Sequence, residues 1–439
     1  MAVPCLPGIS HLGALRRDWL GLLARVAATL GDVGAFRVGP RVGVVVNAPA
    51  LAARVLIHHA EHVEKGPLLT RLARTFMGEG LVTCPQAAHG AARAHIQPAF
   101  TPRRVAGHLP GLWAVAEAAV DTLVPGEVVD VHGWLTHVAI GLIGRALFAH
   151  EGAVDPTELE AAARAGLHYI NHRIRHPLGA PLWWPTDLNR QARWARTALH
   201  TLVDTQVARR RAAPTAGDDV LSHLLEAPLS PQALRDHVVT LLLAGFETVA
   251  AHLAWTLALL AEHPGAEARF LSEIDDLPAR PTEADLDGLA FTRRILEESL
   301  RLYPPAHTLG RVLRAPLELG GHTLQAGAVV IVSPWLLHRR ADLFPDPERF
   351  DPDRAPAPRH ALVPFGLGPR SCIGARFATL EALVVLVALA RRVRLVPETP
   401  GRPAAETLLT LRPVGFRARV VPRSGDGFNP GAASGTLRR

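Results

Sequence analysis

The segment "VVTLLLAGFETVAAHLAWTLALL", Val238–Leu260, is apolar on almost every side. A helix of that kind belongs either in a bilayer or at the centre of a large domain. Ser230 suits an N-cap and Pro231 a first helical position, while Pro264 and Gly265 mark a stop near His263. At 1.5 Å per residue such a helix runs about 50 Å, enough to cross a domain. Glu247, near its middle, would cost about 2.5–3.5 kcal/mol on insertion into a membrane, and the sequence has no second such span. The expectation is a buried central helix and no membrane span.

Around this axis the periodicity is mostly helical. Ala114–Leu123, Leu159–Arg173 and Ala192–Arg211 repeat apolar residues every three or four positions. Short β-like runs lie at Val42–Pro49, Leu317–Val332 and Leu408–Val421. Arg209–Asp219 reads as a flexible surface connection. There is no internal repeat and no long linker, so residues 1–420 are expected to form one mainly α domain with small β-sheets. Residues 421–439, rich in Gly, Ser and Pro, are expected to be a disordered tail.

The formal charge is +7. Lys65 is the only lysine against 46 arginines, a bias of the kind a GC-rich genome imposes, and the arginines are scattered. Without an aromatic-interleaved basic stripe, nucleic-acid binding is not expected, although a basic face would suit an acidic electron donor. Three cysteines far apart exclude a disulfide framework or a zinc spacing and point to a reducing, cytoplasmic setting. The N-terminal residues lack the pattern of a signal peptide.

Four motifs carry chemistry. The first is "FGLGPRSCIG", Phe365–Gly374, directly before the helical run from Ala375. A thiolate is the metal ligand and nucleophile, and a helix start favours negative charge. Gly368 and Gly374 permit a sharp turn or the close approach of a flat ligand, and Arg370 adds a permanent cation. The second is "EESLRLYPP", where Glu298 and Arg301 are neighbours on one helix face, followed by "PDPERFDP" with Arg349. The third is "AGFETV", where Gly245 weakens the long helix and so implies a need for space, and Glu247 and Thr248 interrupt an apolar core. The fourth is "HGAARAHIQPAF", with His89 and Arg93 one turn apart.

These motifs, in this order and covering residues from about 30 to about 420, resemble the cytochromes P-450, the haem-thiolate monooxygenases. The resemblance implies a triangular single-domain fold with haem b between the long central helix and the helix after the cysteine loop. It makes Cys372 the iron ligand and has Phe365 shield its sulfur. Arg370, His89, Arg93 and Arg311 are implied as propionate partners, with Gly374 and Ala244 also at the cofactor. Glu298, Arg301 and Arg349 are implied as a buried structural network. Glu247 and Thr248 are implied to deliver protons to oxygen under reduction, on a helix locally opened for O2 and water. By family position the substrate pocket would include Phe76, Met77, Leu243, Ala244, Thr248, His307, Thr308 and Leu408, with Trp183 and Trp184 as further contacts.

The reaction implied is oxidation of a hydrophobic small molecule, such as a terpenoid or macrocyclic polyketide, using O2 and NAD(P)H. Electrons would arrive from a ferredoxin and its reductase, since the chain has no Rossmann glycine fingerprint, and a monomer is expected. "RLYPPAHTLGR" and "VVIVSPWLLHRR" resemble the eukaryote-like bacterial subgroup that includes terpene oxidases. Two other readings are a haem-thiolate peroxygenase or rearrangement enzyme, against which Glu247 and Thr248 argue, and a non-catalytic recruitment protein, against which Cys372 argues.

Overall fold

The computed structural model describes residues 3–39, 41–149, 155–176, 179–212 and 219–423. The central helix runs without interruption from Pro231 to Glu262. Ser230 caps it, its hydroxyl accepting from the Ala233 N–H at 3.2 Å, and Pro264 opens the following helix, Pro264–Asp275. Residues from Leu234 to Leu260 are buried around much of its circumference, including Trp255, which is fully enclosed and stacked on Tyr303. It is the one helix among the described residues that is long and apolar enough to cross a membrane, and its apolar sides are instead covered by protein. Against it pack helices Val131–Phe148, Ala290–Leu302 and Ala375–Arg392.

Two of the periodic segments fall within helices Pro156–Arg175 and Asp187–Ala212, and Ala114–Leu123 overlaps helix Leu109–Asp121, which ends two residues before it does. Helix continues through Arg209–Arg211 to Ala212, so that part of the expected surface connection is helical; residues 213–218 of it lie outside the described residues. The last strand, Arg417–Pro422, carries the ordered domain just past the expected boundary at 420. Of the expected tail, residues 424–439 lie outside the described residues.

One sheet decides where the site forms. Its five strands lie in the spatial order Val33–Val38, Arg41–Val46, Val329–Val332, Leu309–Leu313, Val63–Lys65. The pairing of Arg41–Val46 with Val329–Val332 is parallel, which unites the two ends of the chain. The last pair is antiparallel and sets Lys65 directly opposite Arg311. Two hairpins, Leu317–Leu319 with His322–Leu324 and Ala404–Thr407 with Leu411–Val414, and a three-stranded sheet complete the β portion.

Candidate active site

The cysteine loop is shaped by contacts that glycine alone allows. Gly366 and Gly368 have φ of 73° and 71°, in the left-handed region that costs other residues energy. At Gly368 a Cβ would also stand 2.1 Å from the Leu56 carbonyl oxygen, so this glycine permits approach of protein backbone rather than of a ligand. Gly374 differs: its φ is −92° and a Cβ there would meet nothing nearer than Phe100 at 3.9 Å. The protein does not itself use the room that Gly374 leaves. Phe365 closes the loop, its carbonyl accepting from the Cys372 N–H at 2.8 Å.

Cys372 stands two residues before the helix Ala375–Arg392 is capped and begun, as expected, and is exposed. The helix start does not dominate its acidity. Although the residue's surface is open, desolvation by the protein packed around it raises the thiol above its ordinary value, and the Gly374 N–H and Arg93 only partly oppose this. In the protein alone the thiol form is favoured; a cation bound at the sulfur would reverse that order, because a coordinating thiol is deprotonated outright.

Beside the loop lies an excess of positive charge. Arg370 donates from Nε to Gln86 Oε1 at 2.8 Å and from Nη2 to the Cys84 carbonyl at 3.0 Å, but its buried Nη1 has no hydrogen-bond partner among the described residues. Arg311 is buried and donates only to the Gly310 carbonyl among the described contacts; burial and Arg370 push it down to about 10. Lys65, opposite it in the sheet, is lowered to about 7 by burial, Arg311 and Arg370. His89 is buried and lowered to about 4, first by burial and then by Arg370, Lys65, Arg93 and Arg311, so at neutral pH it is an uncharged hydrogen-bonding group. Glu64 is the carboxylate within reach, 3.8 Å from Arg370. A cluster of cations this crowded, with an orphaned guanidinium nitrogen, is built for a further anion. Haem with its two propionates fits these residues. Arg93 serves the loop itself. Its Nη1 donates to the carbonyls of Ser371 at 2.7 Å and Pro369 at 3.1 Å, tying its helix, Gln86–Ile96, to the segment around the thiol.

Behind the loop, Glu298 and Arg301 form a buried bidentate pair at 2.7 and 2.8 Å. Arg301 also donates to the carbonyls of His338, Pro347 and Arg349. The expected three-residue network is corrected in its third member. The Arg349 side chain is exposed and only its carbonyl takes part; Arg354 reaches Glu298 instead, at 3.4 Å. The backbone of the "PDPERF" turn points Arg349 outward and returns the chain with Arg354 inward, a distinction no motif spacing conveys.

In the central helix, Glu247 and Thr248 face different surroundings because successive helical residues are about 100° apart. Thr248 lies on the less buried side, one turn from the exposed Ala244, and its hydroxyl donates to the Ala244 carbonyl at 3.0 Å. Glu247 is buried and accepts from the Thr410 hydroxyl at 2.7 Å. Desolvation raises its carboxyl, and Thr410, Arg412 and Arg164 hold it back only in part. The space implied by Gly245 is taken by protein: a Cβ there would meet Ile143 at 2.7 Å. The helix is therefore not opened at this glycine; the missing side chain lets helix Val131–Phe148 approach.

Glu247 and Leu408 line a cavity of about 560 Å³. Of the residues expected at the substrate only Leu408 lines it. Phe76 is fully buried against Tyr169 and Met77 is buried beside it, so both are core. His307 is buried, bonded to Thr308 Oγ1 at 2.8 Å and to the Leu408 carbonyl at 3.0 Å, and Thr308 also accepts from Trp19 at 3.0 Å. Leu243 is partly buried beside Ala244. Trp183 and Trp184 are 72% and 53% exposed, on the surface rather than in a pocket. Two residues at the site went unread in the sequence. Lys65 had a usable signal, a lone lysine retained in an arginine-rich chain; Thr410, in a short turn between strands, had none.

The chain matches the family model described as "Cytochrome P450" over residues 4–419. It is 35% identical to cyclooctat-9-en-7-ol 5-monooxygenase of Streptomyces melanosporofaciens, over 90% of this chain and 89% of that protein. It is 34% identical to cyclooctatin synthase of the same organism, over 95% and 94%, and 32% identical to pentalenene oxygenase of Streptomyces avermitilis, over 95% and 96%.

Proposed function

Because the chain belongs to the cytochrome P450 family and is a haem-dependent monooxygenase acting on a hydrophobic secondary metabolite, we propose that it oxidises a terpenoid intermediate with electrons supplied by a ferredoxin. The terpenoid reading is supported by the names of its relatives, which concern cyclooctatin and pentalenene. When bound, the haem supplies activation of O2, and thiolate ligation favours cleavage of the O–O bond.

The chain's own residues divide the remaining work. Cys372 offers the sulfur, held in place by the Phe365 carbonyl and by Arg93 across the loop. Arg370, Arg311 and Lys65 would hold the propionates, and His89 would donate a hydrogen bond there. Thr248, on the less buried side of the central helix, would orient oxygen, and Glu247, whose pKa burial raises so that it keeps a proton more readily than an ordinary carboxyl, would supply protons. The observation that carries this reading is the Arg370 Nη1, without a hydrogen-bond partner among the described residues, within a surplus of cations beside an exposed cysteine.

The test is the spectrum of the reduced, carbon monoxide-bound protein. The red-shifted Soret band is expected in the wild type and lost in Cys372→Ala; equal spectra would overturn the ligand assignment. Titration with pentalenene and with cyclooctat-9-en-7-ol is expected to shift the ferric spectrum. Absence of a shift with every terpenoid tried would reject the substrate class and leave the haem assignment intact.

A further inference from the structure

The cavity is lined by Phe246 and Glu247 of the central helix but not by Thr248. Its walls are the start of helix Val131–Phe148, one side of helix Pro156–Arg175 and the hairpin Ala404–Thr407/Leu411–Val414. Three polar atoms on these walls have no hydrogen-bond partner among the described residues: His132 Nε2, Asn171 Nδ2 and His172 Nδ1. Asn171 is 9% exposed, so its amide depends on something within the cavity. Polar groups of this kind in a space of about 560 Å³ are satisfied by water, which needs a few tens of Å³ per molecule and two to four polar partners.

The cavity also has a direction. Glu247 is buried at its inner end, His172 is partly buried, and His168 and His176 are exposed at its rim. His168 and His172 are one turn apart on helix Pro156–Arg175 and His176 caps its end, with ring centroids in succession 6.4 and 4.6 Å apart.

We propose that this cavity is the proton entry of the enzyme: solvent protons pass through water and His172 to Glu247, whose carboxyl accepts from the Thr410 hydroxyl. The proposal rests on the reading of Glu247 as a proton donor. Each proton that Glu247 releases towards the Thr248 side is replaced by one from solvent, and no electron moves along the route. A neutral imidazole does this by accepting at one nitrogen and releasing from the other.

The charges facing Glu247 agree with a proton route rather than an anion site. From helix Pro156–Arg175 come Glu160 and Arg164, paired with each other. From the hairpin come Glu406 and Arg412, paired at 2.8 Å. From the third wall come Asp130 and His132. Burial and the Arg412 charge lower His132 to about 4, and burial and His176 lower His172, so both are neutral at physiological pH. The arginines are matched by carboxylates, which leaves no surplus cation to hold a phosphate or carboxylate ligand.

The haem-loaded full chain tests this through two readouts. Infrared spectra across the acidic to neutral range identify the protonated Glu247 carboxyl as the band lost in Glu247→Gln. In Thr410→Val that band is expected to shift, since a hydroxyl donor is removed without change of shape. NADPH-driven O2 consumption through a ferredoxin is expected to fall about tenfold in Thr410→Val, His172→Phe and His172→Gln, less than the roughly 10²–10⁴-fold that a general acid itself supplies, with a larger solvent deuterium effect. An unshifted band together with wild-type rates in Thr410→Val and both His172 variants, while Glu247→Gln is slow, overturns the route alone. Wild-type consumption in Glu247→Gln overturns the reading on which it rests.

Discussion

Lys65 shows how much one side chain's meaning depends on its neighbours. Its ammonium is lowered to about 7 because burial, Arg311 and Arg370 all disfavour a charge there. The protein by itself therefore gains little from this lysine, and an anion beside it gains a good deal. Lys65→Gln is expected to leave the haem-free chain equally or more resistant to denaturant. The same change should weaken haem retention about tenfold, equivalent to about 1.4 kcal/mol; haem transfer to apomyoglobin measures it. A loss of stability without haem would make Lys65 a structural residue. Glu381, in the helix after the cysteine loop, is fully enclosed, and burial raises its carboxyl well above the ordinary value. The folded chain thus keeps a proton that the unfolded chain releases, and stability falls as the pH rises above the unfolded value, by up to about 1.4 kcal/mol per pH unit. Glu381→Gln is expected to remove that slope between weakly acidic and neutral pH, as read from urea midpoints at several pH values.

Elements meet where small or paired residues let them. Gly245 gives up helix propensity of about 1 kcal/mol so that Ile143 on the neighbouring helix can lie against the central one. Gly245→Ala recovers that propensity, but its Cβ would stand 2.7 Å from Ile143, and overpacking of a well-filled contact costs about 1–3 kcal/mol. The net expectation is a modest loss of stability that Ile143→Ala reduces in the double variant; simple additivity in denaturation would show that the two helices do not meet there. The Glu298–Arg301 pair sits on one face of helix Ala290–Leu302 and binds the carbonyls of a distant turn. Glu298→Ala leaves a buried guanidinium unpaired and is expected to cost about 3–5 kcal/mol, whereas Arg349→Ala, on an exposed side chain, should stay within about 0.5 kcal/mol of wild type. Equal losses in the two denaturation curves would restore Arg349 to the network.

Across the whole molecule the charge of +7 bears on the electron donor. If an acidic ferredoxin reduces this enzyme, its association is steered by long-range attraction that salt screens. Stopped-flow reduction is expected to slow several-fold between low and physiological ionic strength; a salt-independent rate would remove the electrostatic part of the ferredoxin proposal. The long buried helix, its cap and stop, the helices around it and the cysteine loop were legible in the chain because each rests on local periodicity, capping or a run of glycines. Glu298 with Arg301 was legible as well, since three-residue spacing on a helix makes neighbours. Sequence alone could not place Lys65 opposite Arg311, bring Arg354 rather than Arg349 to Glu298, put Phe76 in the core, or set Thr410 against Glu247. Those pairings join residues tens to hundreds of positions apart, and they depend on strand register, on the path of a turn and on which face of a helix its neighbours cover. Local chemistry leaves these undetermined, and the packing of the whole chain decides them.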